Sequence, residues 1–326
     1  MTIIVLTFSS CGYENNENET EQFHFRFNTQ IFGYLDTVIN FIAYAETEED
    51  FRTYTTILTR EIAHLHNLFT TFEPHPNNLY MLNSGYEIEA NPILVSFFEI
   101  AKEAYIISEG RLNIAIGAVT SLWQEQRNSE NPIIPSLNTL YEASNNTNIE
   151  DIIIEAGKIY LNNPYMQLDV GAIAKAFTMN YAVNKLIEET GIKAFLLSVG
   201  GDVIAHGEPI SPNRDAWMVG VEDPSTGAAI KAVPIINTSF FASGDYRRFF
   251  MVDGERFSHI IDPQTLFPAN YFRSVNVIHE DTIMAEILTT ALFLMPINLG
   301  MQMAEKYNAR VLWVDLEDNI ITTPNF

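Results

Sequence analysis

Apolar residues recur at helical spacing along four stretches of the chain, and these predict its principal helices. They run from Glu46 towards Phe69, from Asn91 to Glu109, from Ile173 to Glu189, and through Met284 to Met295. The first opens with Glu46-Thr47-Glu48-Glu49-Asp50, acidic residues at the end of a helix that favours negative charge. Short runs predict strands at Phe32 to Tyr44, Ile159 to Leu161, Met166 to Leu168, Phe195 to Val199, Met218 to Val221 and Ser274 to Ile278. Between Gln126 and Ser144 the composition turns to Asn, Ser, Pro and Glu, which predicts a surface excursion. Helices and strands mix without regular alternation, so the expected class is α+β with mixed sheets and helices rather than a doubly wound parallel sheet. There is no fixed-period repeat, and no Gly/Pro-rich linker divides the body.

Composition changes this picture mainly through charge. In 326 residues, 41 Asp and Glu face 18 Lys and Arg, a formal charge of -23 that disfavours nucleic acid and anionic lipid surfaces. The same field opposes an anionic nucleotide, so a nucleotide site here requires a divalent cation or strong local donors. With 47% apolar residues the chain can bury a sizeable core, and no apolar run reaches the roughly 18 residues of a membrane-spanning helix. At the N-terminus, Thr2 to Phe8 is a short apolar run ending in Ser9-Ser10-Cys11-Gly12, the pattern of a bacterial lipoprotein signal. The expected organisation is a signal segment over 1–11, a disordered acidic tether over 12–22 and a folded body over 23–326, held at the extracytoplasmic face of the cell membrane by a lipid on Cys11. The alternative is an N-terminal strand with a buried thiol. A single cysteine allows no intrachain disulfide.

Five segments carry candidate chemistry. Leu168-Asp169-Val170-Gly171-Ala172-Ile173-Ala174-Lys175-Ala176 sets a carboxylate, a glycine turn and a cation at a strand-to-helix junction, where backbone N–H groups and Lys175 can hold a phosphate. Ser198-Val199-Gly200-Gly201-Asp202 follows a strand with a double glycine, which permits close approach to a ligand or simply a tight turn. Ala242 to Tyr246 is polar and turn-forming, with Arg247 and Arg248 behind it. His259-Ile260-Ile261-Asp262 puts an imidazole and a carboxylate three residues apart, suited to proton transfer or to a structural pairing. Glu286 and Thr290 share a helix face with Thr289 beside them, either as oxygen ligands for a hard cation or as a solvated polar stripe. His64 and His66 point to different faces, Trp123, Trp217 and Trp313 suit a core, and neither a nucleophile elbow nor a Gly-Lys-Ser/Thr phosphate loop is present.

Taken in order, these segments resemble the ApbE family of FAD:protein FMN transferases. Leu168 to Ala176 looks like the family's L-D-x-G-G-I-A-K-G, and Ser198 to Asp202 like its S-V-G-G-D/N. Ser243-Gly244-Asp245-Tyr246 with His259 to Pro263 and Thr265 is similar to S-G-D-Y...H-I-I-D-P-x-T, and Ala285 to Leu292 to A-D-x-L-x-T-A-L. Gly110 to Gly117 and Phe69 to Asn83 sit at two further motifs.

The resemblance implies FAD as substrate, bound in a cleft between two lobes of one catalytic domain with Mg²⁺ on its diphosphate. It also implies transfer of FMN to a Thr or Ser of an exported redox protein. Carried over by position, Asp169 and Lys175 contact FAD, with Arg111, Leu112, Asn113, Leu35, Phe72 and Ile260 at flavin-contacting positions. The carbonyl of Ala172 with Glu286, Thr289 and Thr290 surrounds the metal, His259 assists deprotonation of the acceptor hydroxyl, and Asp262 orients it. Alternative outcomes of the same site are hydrolysis of FAD to FMN and AMP, or flavin binding without turnover. The chain departs from the family pattern at Glu286, which replaces Asp, at Ala172, Ala176 and Leu266, which replace Gly, and at Asn180, where Asp is common.

Overall fold

The computed structural model describes residues 24–211, 214–246 and 248–326. The expected signal segment, tether and Cys11 lie outside the described residues. A hairpin of β1 (Phe25–Tyr34) and β2 (Thr37–Ala45) leads into α1 (Glu48–Phe69), the short α2 (Leu79–Asn83), β3 (Ile88–Glu89) and α3 (Pro92–Ile107). Next come α4 (Gly117–Arg127), α5 (Leu137–Ser144), β4 (Ile152–Glu155), β5 (Lys158–Leu161) and α6 (Ala174–Thr190). Strands then dominate: β6 (Phe195–Val199), β7 (Asp202–His206), β8 (Trp217–Glu222), β9 (Ala229–Ile235), β10 (Thr238–Gly244), β11 (Phe249–Val252), β12 (Glu255–Ser258) and β13 (Phe272–His279). The chain closes with α7 (Thr282–Phe293), α8 (Ile297–Lys306), β14 (Arg310–Asp315) and β15 (Ile320–Thr322). No helix among the described residues is long and apolar enough to cross a membrane.

An eight-stranded antiparallel sheet in the order β1-β2-β6-β7-β10-β13-β14-β15 is the frame, and the class is α+β as its sequence pattern predicts. Alternation along β6 shows how it builds two layers. Phe195, Leu197 and Val199 join the core beneath α1, α6, α7 and α8, while Ala194 and Leu196 meet the layer covered by the β8–β9 ribbon and Trp217. A second core gathers the end of α1, α2, α3, β4, β5 and the first residues of α6, with Ile287 of α7 reaching into it. A further, smaller cluster joins Trp123 and Leu140 of α4 and α5 to Phe250, Ile261 and Leu266 around the β11–β12 hairpin.

Three local readings of the sequence change. The run from Phe32 to Tyr44 is not one strand: Leu35 and Asp36 both take left-handed backbone, with φ of 56° and 52°, and form a two-residue hairpin loop between Tyr34 and Thr37. Neither residue advertises that geometry as Gly would. Met166 to Leu168 is extended but forms a single parallel bridge, from Gln167 to Ile116. There Gly117 donates its N–H to the Gln167 carbonyl at 2.9 Å, and an added Cβ would lie 2.4 Å from that oxygen, so the approach requires glycine. The excursion from Gln126 to Ser144 contains α5, capped by Ser136, in which only Leu140 is buried. One inward side chain leaves too faint a period to recognise.

Candidate active site

The junction before α6 is a loop held from two sides. Asn83 pairs with the backbone of Leu168 as a neighbouring strand would, its Nδ2 donating to the Leu168 carbonyl at 3.0 Å and its Oδ1 accepting from the Leu168 N–H at 2.7 Å. Next in sequence, the Asp169 carboxylate accepts from Gly171 N at 3.1 Å and from Thr120 Oγ1 of α4 at 2.7 Å. Helix α6 starts at Ala174 without a side-chain cap, and Lys175 falls in its first turn.

Lys175 is not left to solvent. Its Nζ pairs with Oδ2 of Asp202, and the other Asp202 oxygen accepts from Ala242 N of β10 at 2.9 Å. Burial pulls the ammonium down, but Asp202 and then Glu286 outweigh it and hold the group above its ordinary value. Asp202 is 3% exposed at the start of β7, where the double glycine brings the turn close: a Cβ on Gly200 would lie 2.9 Å from Thr37 Oγ1.

On α7, Glu286, Thr289 and Thr290 are all buried, which decides against a solvated stripe. Thr289 Oγ1 donates to the Val275 carbonyl and accepts from Ser243 N, each at 3.1 Å, stitching α7 to β13 and β10. Burial pushes the Glu286 carboxyl up to about 8 against the pull of Lys175, with Asp202 raising it and the Thr290 hydroxyl bonding to it. Its Oε2 is buried without a hydrogen-bond partner.

An orphaned buried carboxyl oxygen beside two hydroxyls fits a hard divalent cation, which would let Glu286 ionise and give Oε2 a partner. No group of three or more His, Cys, Asp or Glu able to hold a metal exists among the described residues. Remaining ligands would come from hydroxyl, carbonyl, water or phosphate oxygen. Ala172, the expected carbonyl ligand, lies one residue before Ile173, which shares the second core with Ile287 of α7.

His259 is held by Arg248. The Arg248 carbonyl accepts both the His259 N–H and its Nδ1, each at 3.1 Å, so the ring carries its proton on Nδ1 and leaves Nε2 as an acceptor. Burial, then Arg248 and Arg127, lower the imidazole to about 4 against the opposing pull of Asp169.

Asp262 does not orient this ring. It is 3% exposed, its Oδ1 accepts from Gln264 N at 2.8 Å, and its backbone pairs with Leu266 and Phe267, so it secures the following turn. Ile260 is half-buried, and its carbonyl accepts from Ala269 N at 2.9 Å.

The remaining expected flavin positions divide. Phe72 is 69% exposed and available to a ligand, and Leu35, at the hairpin tip, donates its N–H to His66 Nδ1 at 3.4 Å. Leu112 is enclosed in the second core. Arg111 donates from Nε to the Leu294 carbonyl at the end of α7, and Asn113 bonds to Thr147 O and Ala115 N. All three are buried, Arg111 and Asn113 with hydrogen bonds inside the protein. A separate cavity of about 300 Å³ beside Tyr86, Tyr160 and Met166 is bordered by Asn83 but holds none of the charged groups above.

Sequence reasoning missed the roles of Asp202, Asn83, Arg127 and Arg248. Asp202 had a signal, a carboxylate directly after Gly-Gly at a strand start; the arginines had none that local sequence could supply.

The profile of the ApbE family matches residues 35–313. A Haemophilus influenzae protein named FAD:protein FMN transferase is 28% identical over 76% of this chain and 72% of its own length. A Vibrio cholerae protein of the same name is 28% identical over 83% and 81%. Among solved structures, the ApbE protein of Thermotoga maritima superposes with a TM-score of 0.82 at 24% identity, covering 92% of this chain and 98% of that one. The flavin transferase ApbE from Vibrio cholerae gives a TM-score of 0.77 at 21% identity, over 92% and 98%. These last two likenesses concern the fold.

Proposed function

The chain belongs to the ApbE family, and from that premise we propose that it is a Mg²⁺-dependent FAD:protein FMN transferase acting on a Thr or Ser of an exported redox protein. The observation that carries the metal requirement is the buried, partnerless Oε2 of Glu286 beside the Lys175–Asp202 pair. Glu286, Thr289, Thr290 and the Ala172 carbonyl would hold the ion, which when bound supplies charge neutralisation at the diphosphate. Glu is one methylene longer than the family's Asp, and it keeps the hard oxygen chemistry.

The acceptor hydroxyl attacks the flavin-side phosphorus of FAD. An O–P bond forms to the acceptor, the bond to the bridging oxygen breaks, and AMP leaves with that oxygen and the electron pair. His259 Nε2, the free acceptor on the ring, takes the hydroxyl proton and passes it to solvent. Asp169 and Lys175 bound the phosphate side of the site, and Asp202 fixes where the Lys175 ammonium sits. The Ser9-Ser10-Cys11 pattern supports lipid anchoring at the extracytoplasmic membrane face; Cys11→Ala should move the protein from the membrane to the soluble fraction.

Incubation with FAD, Mg²⁺ and a Thr-containing acceptor tests the reading. Covalent flavin fluorescence on the acceptor with stoichiometric AMP supports it. Free FMN plus AMP would assign a hydrolase, and FAD left bound and intact would assign a flavin carrier.

A further inference from the structure

Thr120 and Arg127 are seven residues apart on α4 and therefore share a face. Thr120 touches Asp169, and Trp123, on the same side, stacks on Phe257 of the β11–β12 hairpin with ring centroids 5.9 Å apart. That face directs Arg127 to the corner where the hairpin presents Arg248 and His259. Arg127 and Arg248 act electrostatically on each other and both on His259, while Arg248 also acts on Lys175. Neither guanidinium makes a salt bridge or hydrogen bond among the described residues. Burial, and then Arg248, pull Arg127 below its ordinary value.

Arg127 is half-buried with Asp169 acting on it as an opposing charge, Arg248 is exposed, and together the two guanidinium groups make a positive corner in a chain with a formal charge of -23. Charge balance says what would match them. Lys175 is answered by Asp202, and a divalent cation would be answered in part by Glu286. A bound cation would neutralise part of a diphosphate's charge, and Arg127 with Arg248 would supply two further positive charges to match it. Guanidinium forks bind phosphate oxygens in pairs, which a point-charge ammonium cannot do.

We propose that Arg127 and Arg248 form a clamp on the diphosphate of the ligand, placing the phosphorus under attack beside Nε2 of His259. The role of diphosphate in the reaction rests on the transferase reading, whereas anion binding by this pair does not.

The test is calorimetric titration of Arg127→Gln, Arg248→Gln and the double variant with inorganic pyrophosphate and with FAD, in Mg²⁺, at two salt concentrations. Each single change should weaken both ligands by about tenfold or more and flatten the salt dependence. Arg127→Lys and Arg248→Lys should recover only part of this, and they replace any Gln variant whose melting temperature shows it unfolded. Unchanged pyrophosphate and FAD affinities would overturn the clamp, and a raised KM for the acceptor alone would assign the pair to an acidic segment of the acceptor instead. Wild-type protein that binds pyrophosphate through these arginines but does not bind FAD would leave the clamp standing and remove the transferase reading.

Discussion

The Arg248 carbonyl receives two hydrogen bonds from His259, one from its backbone N–H and one from Nδ1, both at 3.1 Å. The residue that fixes the ring's tautomer also adds, after burial, a positive charge that lowers the imidazole. With the imidazole lowered to about 4, the base form is populated across the physiological range. Acceptor labelling should therefore show no His-dependent loss between about pH 5.5 and 8, and a fall only as pH approaches 4. His259→Gly should lower labelling by about a hundredfold or more while FAD remains bound. A rate that halves near pH 6.5 would contradict this.

Stability follows the same ring with a definite sign. A depressed folded value means the unfolded chain takes up the proton first, so the contribution is whole above pH 6.5 and is lost as pH falls towards 4. Urea titrations at pH 7 and 4.5 should show a smaller acid-induced loss in His259→Gln than in the parent.

Glu286 behaves oppositely. Its carboxyl, raised to about 8, favours the metal-free fold below pH 4.5 and loses that contribution as pH rises through 8. Metal binding would release the proton, so Mg²⁺ affinity should fall about tenfold for each pH unit below 8. Glu286→Gln should abolish Mg²⁺-induced stabilisation in thermal melts. Glu286→Asp should retain or raise activity, since the acid is kept.

Asn83→Leu would remove both bonds to the Leu168 backbone and leave a buried N–H and carbonyl unmatched, costing about 2–3 kcal/mol by denaturant titration. Because the next residue is Asp169, labelling should fall further than the lost stability explains.

Leu266 occupies a left-handed backbone, φ 65°, and is 7% exposed in the cluster around Trp123. Leu266→Gly relieves about 1 kcal/mol of backbone strain. It also gives up about 2 kcal/mol of burial and adds unfolded-state freedom. The net expectation is a loss of about 1–2 kcal/mol, read as a lower melting temperature with the turn intact.

How far the sequence could be read depends on how locally each feature is encoded. Helix α1 is legible because its apolar period and the acidic residues Glu48, Glu49 and Asp50 of its first turn lie together in the sequence, and the order of Asp169, Lys175, His259 and Glu286 carries the family. What escaped needed three dimensions. The Leu35–Asp36 turn places ordinary residues in glycine's conformation, and the partner of Lys175 lies 27 residues away on another element. Asp262 looked like the natural support for His259 at three residues' distance, yet the strand pairing gives that task to Arg248, eleven residues back.

The small aromatic cluster around Trp123 carries Arg127, Arg248 and His259, whereas Asp202, Thr289 and Glu286 are built into the large sheet and its helices. The proposed proton acceptor and metal-side oxygens thus rest on separately packed hydrophobic clusters, so a substitution that loosens the lesser one should disturb His259 before it disturbs Glu286.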